Sequence, residues 1–343
     1  MLVAVSLLAA AALLVPAAHG NEVAYDEGRD TRSDVLAQRD ASAEPDTSAS
    51  RDPALTASVD WMFLKRGELD DTPVFTTAAG ANIFNASQFK FDFKSGVDMS
   101  LRYRLTPCFT LEGRYLLVDK CRDEVGPFPL SPADRARTTP PAHVGNETDW
   151  VFYDSQFQSV EINLRGAFAG RFDVRVLAGV RYVRFDETFR NTYTETGTGV
   201  TGVWIQATEN DLIGFQLGAE ALIWEIGPGL RLDVRAKGGA YFNSADSSAG
   251  IRDSTGWRLK ASDDKDRRAF LAELGFLFSY KINSNFSGRL GYHLIWLDDV
   301  AAAAEQIPRT TDWEQSVVPF ATTTDRGNTA YFHGLFLGFE LRF

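Results

Sequence analysis

Ionisable residues recur at every second position along much of this chain, and their spacing defines the chemistry open to it. Lys90, Asp92, Lys94, Asp98, Arg102 and Arg104 alternate with Phe89, Phe91, Phe93, Val97, Met99, Leu101, Tyr103 and Leu105. The same alternation carries Glu112 and Arg114, Glu161 and Arg165, then Asp173, Arg175 and Arg181. It continues through Glu220, Arg235, Lys237, Glu273, Arg289 and His293. Mixed charges on one face of a wall serve one of two ends. They line an aqueous path and select solutes by charge, or they pair across a narrow interior and fill it. Spacing alone leaves both open.

Other arrangements carry less. His293 stands on a stretch that runs on to Asp298 and Asp299, which would place an Asp and His pair near one rim. No second carboxylate cluster or serine-centred motif accompanies it, so His293 reads as an interior hydrogen-bonding residue and the chain as a non-enzyme. His19, His143, His333 and the two cysteines show no metal-ligand spacing. Asp263, Asp264 and Asp266 lack the spaced ligands and glycine of a calcium loop and read as a solvated loop. Gly197, Thr198 and Gly199 are not followed by the Lys-Ser or Lys-Thr of a phosphate loop. No metal or cofactor is expected. A net charge of −11 argues against a nucleic-acid partner, which requires a concentrated basic surface.

Period two requires strands, because a helix would mix the apolar and charged sets on every side. Alternation begins at Leu55, Ala57, Val59, Trp61 and Phe63, and ends with Leu335, Leu337, Phe339, Leu341 and Phe343. Between them about ten strands are expected, within a range of eight to twelve, an even number suiting a bacterial single-chain barrel. Tight turns fall near Pro107, Gly170, Pro228 and Ser284. Long polar connections are expected over 67–88, 122–150, 188–209, 244–267 and 298–328. Short turns on one side and long loops on the other are the outer-membrane pattern. The fold class is therefore an all-β, transmembrane, antiparallel up-and-down barrel with both ends periplasmic. A soluble sandwich would want strands of about five or six residues and would not hold Phe and Tyr along an outward face for so long.

The composition agrees: aromatics reach 12%, yet mean hydropathy is slightly negative, as when half of every strand faces a polar interior. Residues 1–20 hold an apolar run from Leu2 to Leu14, then Pro16, Ala18 and Gly20, and read as a signal peptide. Residues 21–54 are polar and acidic with few large apolar side chains, and read as a disordered periplasmic lead-in. The barrel occupies 55–343. Cys108 and Cys121 bracket one strand, and thirteen steps of about 3.3 Å hold them roughly 40 Å apart, so both are expected as free thiols.

Several segments resemble the putative beta-barrel porin-7 family. They are Gly179-Val180-Arg181-Tyr182 continuing to Phe185-Asp186-Glu187, Asn210 to Glu220, Phe270 to Gln306 through Gly291-Tyr292-His293-Leu294-Ile295-Trp296-Leu297, and Phe332 to Gly338. The resemblance covers roughly 161–343 and is looser over Asp60-Trp61-Met62-Phe63. It implies a Gram-negative outer-membrane barrel and brings no catalytic residues. Two functions are then expected: a porin passing small solutes passively along the charged lining, or a closed structural or surface-interaction barrel working through its external loops. Leu337, Phe339, Leu341 and the terminal Phe343 look like the signal read by the outer-membrane barrel assembly machinery. Outer-membrane lipid and lipopolysaccharide are the other expected partners.

Overall fold

The computed structural model describes residues 54–343 apart from 78, 131–133, 137–146, 169–172, 228, 255, 308–323, 325 and 326. The chain divides into two units between Ala54 and Leu55, and the second holds the strands. The signal peptide and all of the lead-in but Ala54 lie outside the described residues.

The strands are β1 (Leu55–Arg66), β2 (Pro73–Thr77), β3 (Asn82–Asn85), β4 (Lys94–Arg104), β5 (Phe109–Leu130), β6 (Asp134–Ala136), β7 (Glu147–Phe168), β8 (Val174–Glu195), β9 (Thr201–Ile226), β10 (Leu230–Asp253), β11 (Gly256–Lys281), β12 (Phe286–Val300) and β13 (Asn328–Arg342). A short helix, α1 (Ala303–Gln306), follows β12. Ten strands close an antiparallel barrel in the order β1-β13-β12-β11-β10-β9-β8-β7-β5-β4, while β3, β2 and β6 form a separate small sheet. The expected all-β barrel of ten strands is what the chain forms. Its two ends meet: Phe343 N–H donates to the Leu55 carbonyl at 2.9 Å.

Turn chemistry at this end is explicit. Thr106 Oγ1 accepts from the Phe109 N–H at 3.0 Å, and Asn283 Oδ1 from those of Asn285 and Phe286, both at 2.9 Å. Asn285 also exchanges backbone and side-chain bonds with Arg342, tying the last strand to the β11–β12 turn.

The strands are longer than the sequence suggests. β5, β7 and β8 have 22 residues, β10 has 24, and β9 and β11 have 26. At about 3.3 Å per residue and a tilt near 45°, the longest climb roughly 60 Å, against about 25 Å for a bilayer-facing apolar band. Among their described residues, the loops expected over 122–150, 188–209 and 244–267 are thus largely strand, a correction with a clear cause. On β8 the outward residues are Val176, Ala178, Val180 and Tyr182, then Arg184 and Asp186; the inward ones are Arg181, then Val183, Phe185 and Phe189. Both faces exchange polarity at one height. Below it the wall is apolar outside and charged inside, as lipid and a polar interior require. Above it the wall is mostly polar outside and gains an aromatic and aliphatic inner face, with buried polar residues such as Glu187, Asn191 and Asn210 among it, close to the ordinary arrangement of a β-structure standing in water. The same exchange occurs at Asp60 to Met62 on β1, Arg114 to Leu116 on β5, Glu161 to Phe157 on β7 and His293 to Ile295 on β12.

The expected strand from Phe89 to Leu105 is, by contrast, shorter. β4 begins at Lys94, and Phe89 and Phe91 are buried in the upper core rather than facing outward. They belong to the segment that carries β2 and β3. Val300 to Ile307, around α1, is buried too, with Glu305 the partly exposed exception. These two segments pack inside the aromatic wall made by Tyr153, Phe157, Phe185, Phe189 and Trp204.

Beyond Val118 the β5 edge has no β4 partner. Bulges at Val118/Cys121 and Val125/Phe128, with Pro127 and Pro129, keep it from accepting a further strand. Both thiols are free, Cys108 exposed before β5 and Cys121 buried within it.

Candidate functional site

The inward charges meet in the lower lumen as one lattice. Arg114 on β5 donates Nε and Nη2 to both oxygens of Asp98 on β4 at 2.8 Å, and Nη1 to Glu161 on β7 at 2.8 Å. The same Nη1 reaches Glu273 on β11 at 2.9 Å. Counting β7, β8, β9, β10 and β11 onward from β5, Glu273 stands five places away in a ring of ten, directly across the barrel. Arg181 on β8 and Lys237 on β10 complete the centre: Arg181 pairs with Glu273 at 2.6 Å, and Lys237 with Glu161 at 2.8 Å and Glu273 at 3.0 Å. Three carboxylates, Asp98, Glu161 and Glu273, thus balance three cations. His293 Nε2 lies 3.2 Å from Glu273. All are buried.

Arg165 joins Glu112 at 2.6 Å and Glu220 at 3.0 Å, and Glu220 also holds Arg235 and Arg175. Arg289 reaches Asp60 at 2.9 Å and Glu340 at 3.3 Å, and Arg102 pairs with Glu340. Asn163 and Gln216 donate to Glu161 at 3.0 and 2.7 Å. Within this lattice a cavity of about 20 Å³ lies among Asp60, Asp98, Arg235, Glu273, Arg289 and His293. That is room for about one water, not for a solute path.

A second closure sits above. Arg66 Nε on β1 donates to Glu187 on β8 at 3.1 Å, and Tyr153 and Ser155 on β7 donate to the same carboxylate at 2.6 and 3.0 Å. Burial, with Glu187 alongside, pushes the Tyr153 phenol well above its usual range, so it stays protonated: it donates to Glu187 while its oxygen accepts from the Ala304 N–H at 3.4 Å. Phe332 packs between Phe157, tilted, and Phe185, edge-on, with ring centroids at 5.7 and 6.1 Å. The inward segment after β12 is held by Asn210 on β9. Its amide donates to the Ala301 carbonyl at 2.8 Å and its oxygen accepts from the Ala301 N–H at 2.7 Å, as a neighbouring strand would. Asn210→Ala leaves both buried backbone groups unpaired, a cost of about 1–3 kcal/mol. We expect faster hydrogen exchange and proteolysis concentrated in 300–307, with smaller effects at the neighbouring Phe185 and Asn243, which Asn210 also bonds.

Not every expected lining residue is in the lumen. Lys90 and Asp92 are exposed on the segment before β4, Lys90 meeting Glu68 at 3.1 Å, because strand pairing begins only at Lys94. Lys94 is half-buried at the start of β4. Arg104 is half-buried near the short-turn end, and Asp173 is exposed there beside Arg175 and Arg231. Asp298 accepts from Thr329 and Asp299 faces Arg267, so neither forms a pair with His293. Leu337, Phe339 and Phe343 are exposed on the outer face of β13 and Leu341 half-exposed. Asp60, Arg66, Glu187 and Asn210 escape the sequence reading. The place of Asp60 opposite the outward Trp61 and Phe63 is a usable signal for it, while Arg66 and Asn210 depend on tertiary contacts alone.

Residues 253–343 match the family described as Putative beta barrel porin-7. The porin-7 match spans β11, β12 and β13 and includes Glu273, Arg289 and His293. No curated protein sequence matches the chain. Among solved structures, the Escherichia coli outer membrane protease OmpT shares 9% identity at a TM-score of 0.49, with 84% of this chain and 96% of that one covered. A major outer membrane protein of Thermus thermophilus shares 13% at 0.30, covering 84% and 100%. The P. putida toluene transporter TodX shares 9% at 0.31, covering 86% and 91%. Likeness at these levels says nothing of activity.

Proposed function

We propose that this chain is an outer-membrane barrel whose lumen is shut, and whose work is done by the wall and inward-folded segments that stand above the bilayer. The ion pair between Arg114 and Glu273, which crosses the full width of the ring, carries the reading. The aromatic filling above it adds a second barrier. The porin-7 match favours a non-enzymatic barrel and supports an outer-membrane location; short turns at the end that carries both barrel termini support a periplasmic side for that end. A passive porin is the second reading, favoured by the same match; it would require the upper segments to move aside and the lattice to loosen. Swelling of vesicles that hold the refolded protein separates the two: no swelling in small sugars or amino acids is expected, and swelling that falls with solute size would establish the porin.

The outward β13 residues support recognition by the assembly machinery. Deleting Phe343 removes the backbone N–H that closes the barrel on Leu55 and the terminal aromatic of the lower girdle. The expected result is several-fold less heat-modifiable, folded protein in the membrane fraction; an unchanged folded fraction would refute the role.

A further inference from the structure

The outer wall where β12, β13, β1 and β4 meet carries a cluster that the shut lumen does not use. Lys65 stands directly opposite His333 across the β1–β13 pair. His333 is surrounded by three rings: Tyr331 stacked at 5.9 Å, Tyr292 at 6.2 Å and Phe93 edge-on at 6.5 Å. Lys65 Nζ lies over the Phe93 ring at 5.6 Å. The Tyr292 hydroxyl is 2.6 Å from His333 Nδ1. A phenol is the better donor and an imidazole nitrogen the better acceptor, so the ring proton sits on Nε2. Among the described residues, Lys65 has no carboxylate partner, in a barrel whose cations are otherwise mostly paired.

Height gives the cluster its meaning. His333 lies ten residues before Phe343 on β13, and ten residues at about 3.3 Å and 45° rise roughly 23 Å, the height of the apolar band. Lys65 follows the lipid-facing Val59, Trp61 and Phe63 on the same face. The cluster therefore sits where acyl chains give way to headgroups, at the end of the barrel opposite its termini.

We propose that this cluster binds the phosphate of an outer-leaflet glycolipid, with Lys65 Nζ and the His333 Nε2–H holding the phosphate oxygens and Phe93, Tyr292 and Tyr331 packing on the adjoining sugar. The proposal rests on the outer-membrane reading above, since the orientation decides which leaflet this surface faces. A compact ammonium suits a phosphate as a point charge, and amphipathic rings suit the boundary layer. The occupant is a phosphorylated glycolipid rather than a glycerophospholipid because the sugar gives three rings something to stack on.

The test uses the full chain refolded into nanodiscs, with retained lipid measured by native mass spectrometry. The probes are bisphosphorylated lipid A, the same lipid stripped of phosphate, and phosphatidylglycerol. Preferential retention of phosphorylated lipid A is expected, lowered about fivefold by Lys65→Gln and also lowered by His333→Gln, with neither change altering retention of the stripped lipid. Equal retention of stripped lipid A or of phosphatidylglycerol would overturn the assignment. So would unchanged retention by Lys65→Gln. Flotation with vesicles and heat-modifiable mobility are read on the same samples. A chain that inserts but shows no preference sinks the lipid site alone, whereas a chain that does not insert sinks the membrane reading with it.

Discussion

Glu273→Ala will destabilise the barrel by about 3–5 kcal/mol, the cost of breaking a buried ion pair by removing one partner. Glu273 faces Arg114, Arg181 and Lys237 and lies beside His293, all in the interior. Its loss leaves three cations against the two carboxylates of Asp98 and Glu161. Nothing within the cavity of about 20 Å³ can replace the missing charge. The measurement is unfolding in urea, followed by loss of heat-modifiable mobility and of tryptophan fluorescence. Glu273→Gln should be nearly as damaging, because the amide keeps the shape but not the charge. Lys237→Ala added to Glu273→Ala should recover part of the loss by restoring the balance, a non-additivity expected of residues in one network. An unshifted midpoint for Glu273→Ala would mean that the lattice is wet and loosely held.

Phe332→Ala should cost about 3–5 kcal/mol by a different route, the cavity left by a buried ring. Phe332 is fully buried on the inner face of β13, packed on Phe157 and Phe185 with the Arg66 guanidinium 6.0 Å over its ring. Its removal loosens the Arg66–Glu187 clasp as well as the aromatic cluster. Because the site stands above the lipid band, the loss should appear as faster hydrogen exchange in the upper halves of β7 and β8, while the membrane-level strands keep their protection. The outward neighbour Leu335, which is 55% exposed, supplies the contrast. Leu335→Ala should alter unfolding far less, since lipid closes over the gap.

How far the sequence could be read follows from these same residues. The barrel, its ten strands and the inward position of the lattice are visible wherever one phase of alternation persists, as from Phe276 to Tyr280 or Leu335 to Phe343. What eludes a sequence reading is the change of phase. At Tyr182 and Val183 two apolar residues stand side by side, one facing lipid and the next facing the upper core, and a pattern anchored on the outward face ends there. The strand goes on with its roles exchanged. Stretches such as Ser244 to Arg267 look like loops because their outward face is polar, while their inward face is small at Ala245, Ser247 and Ala249 and charged at Asp263 and Arg267. Lys90 and Asp92 mislead in the opposite way, since Phe89 and Phe91 extend the alternation of β4 backward into a segment that turns inside. Pairing across the lumen is a matter of ring position: nothing local to Arg114 or Glu273 states that they face one another five strands apart.

The claim that the lumen is shut is tested most directly by the conductance of the refolded chain in planar bilayers under molar salt, which screens exposed charges but reaches buried pairs far less. A flat baseline is predicted across the voltage range, with steps appearing only when Glu273 is replaced and the 300–307 segment is released by Asn210→Ala. Steady, uniform steps from the unaltered protein would contradict it.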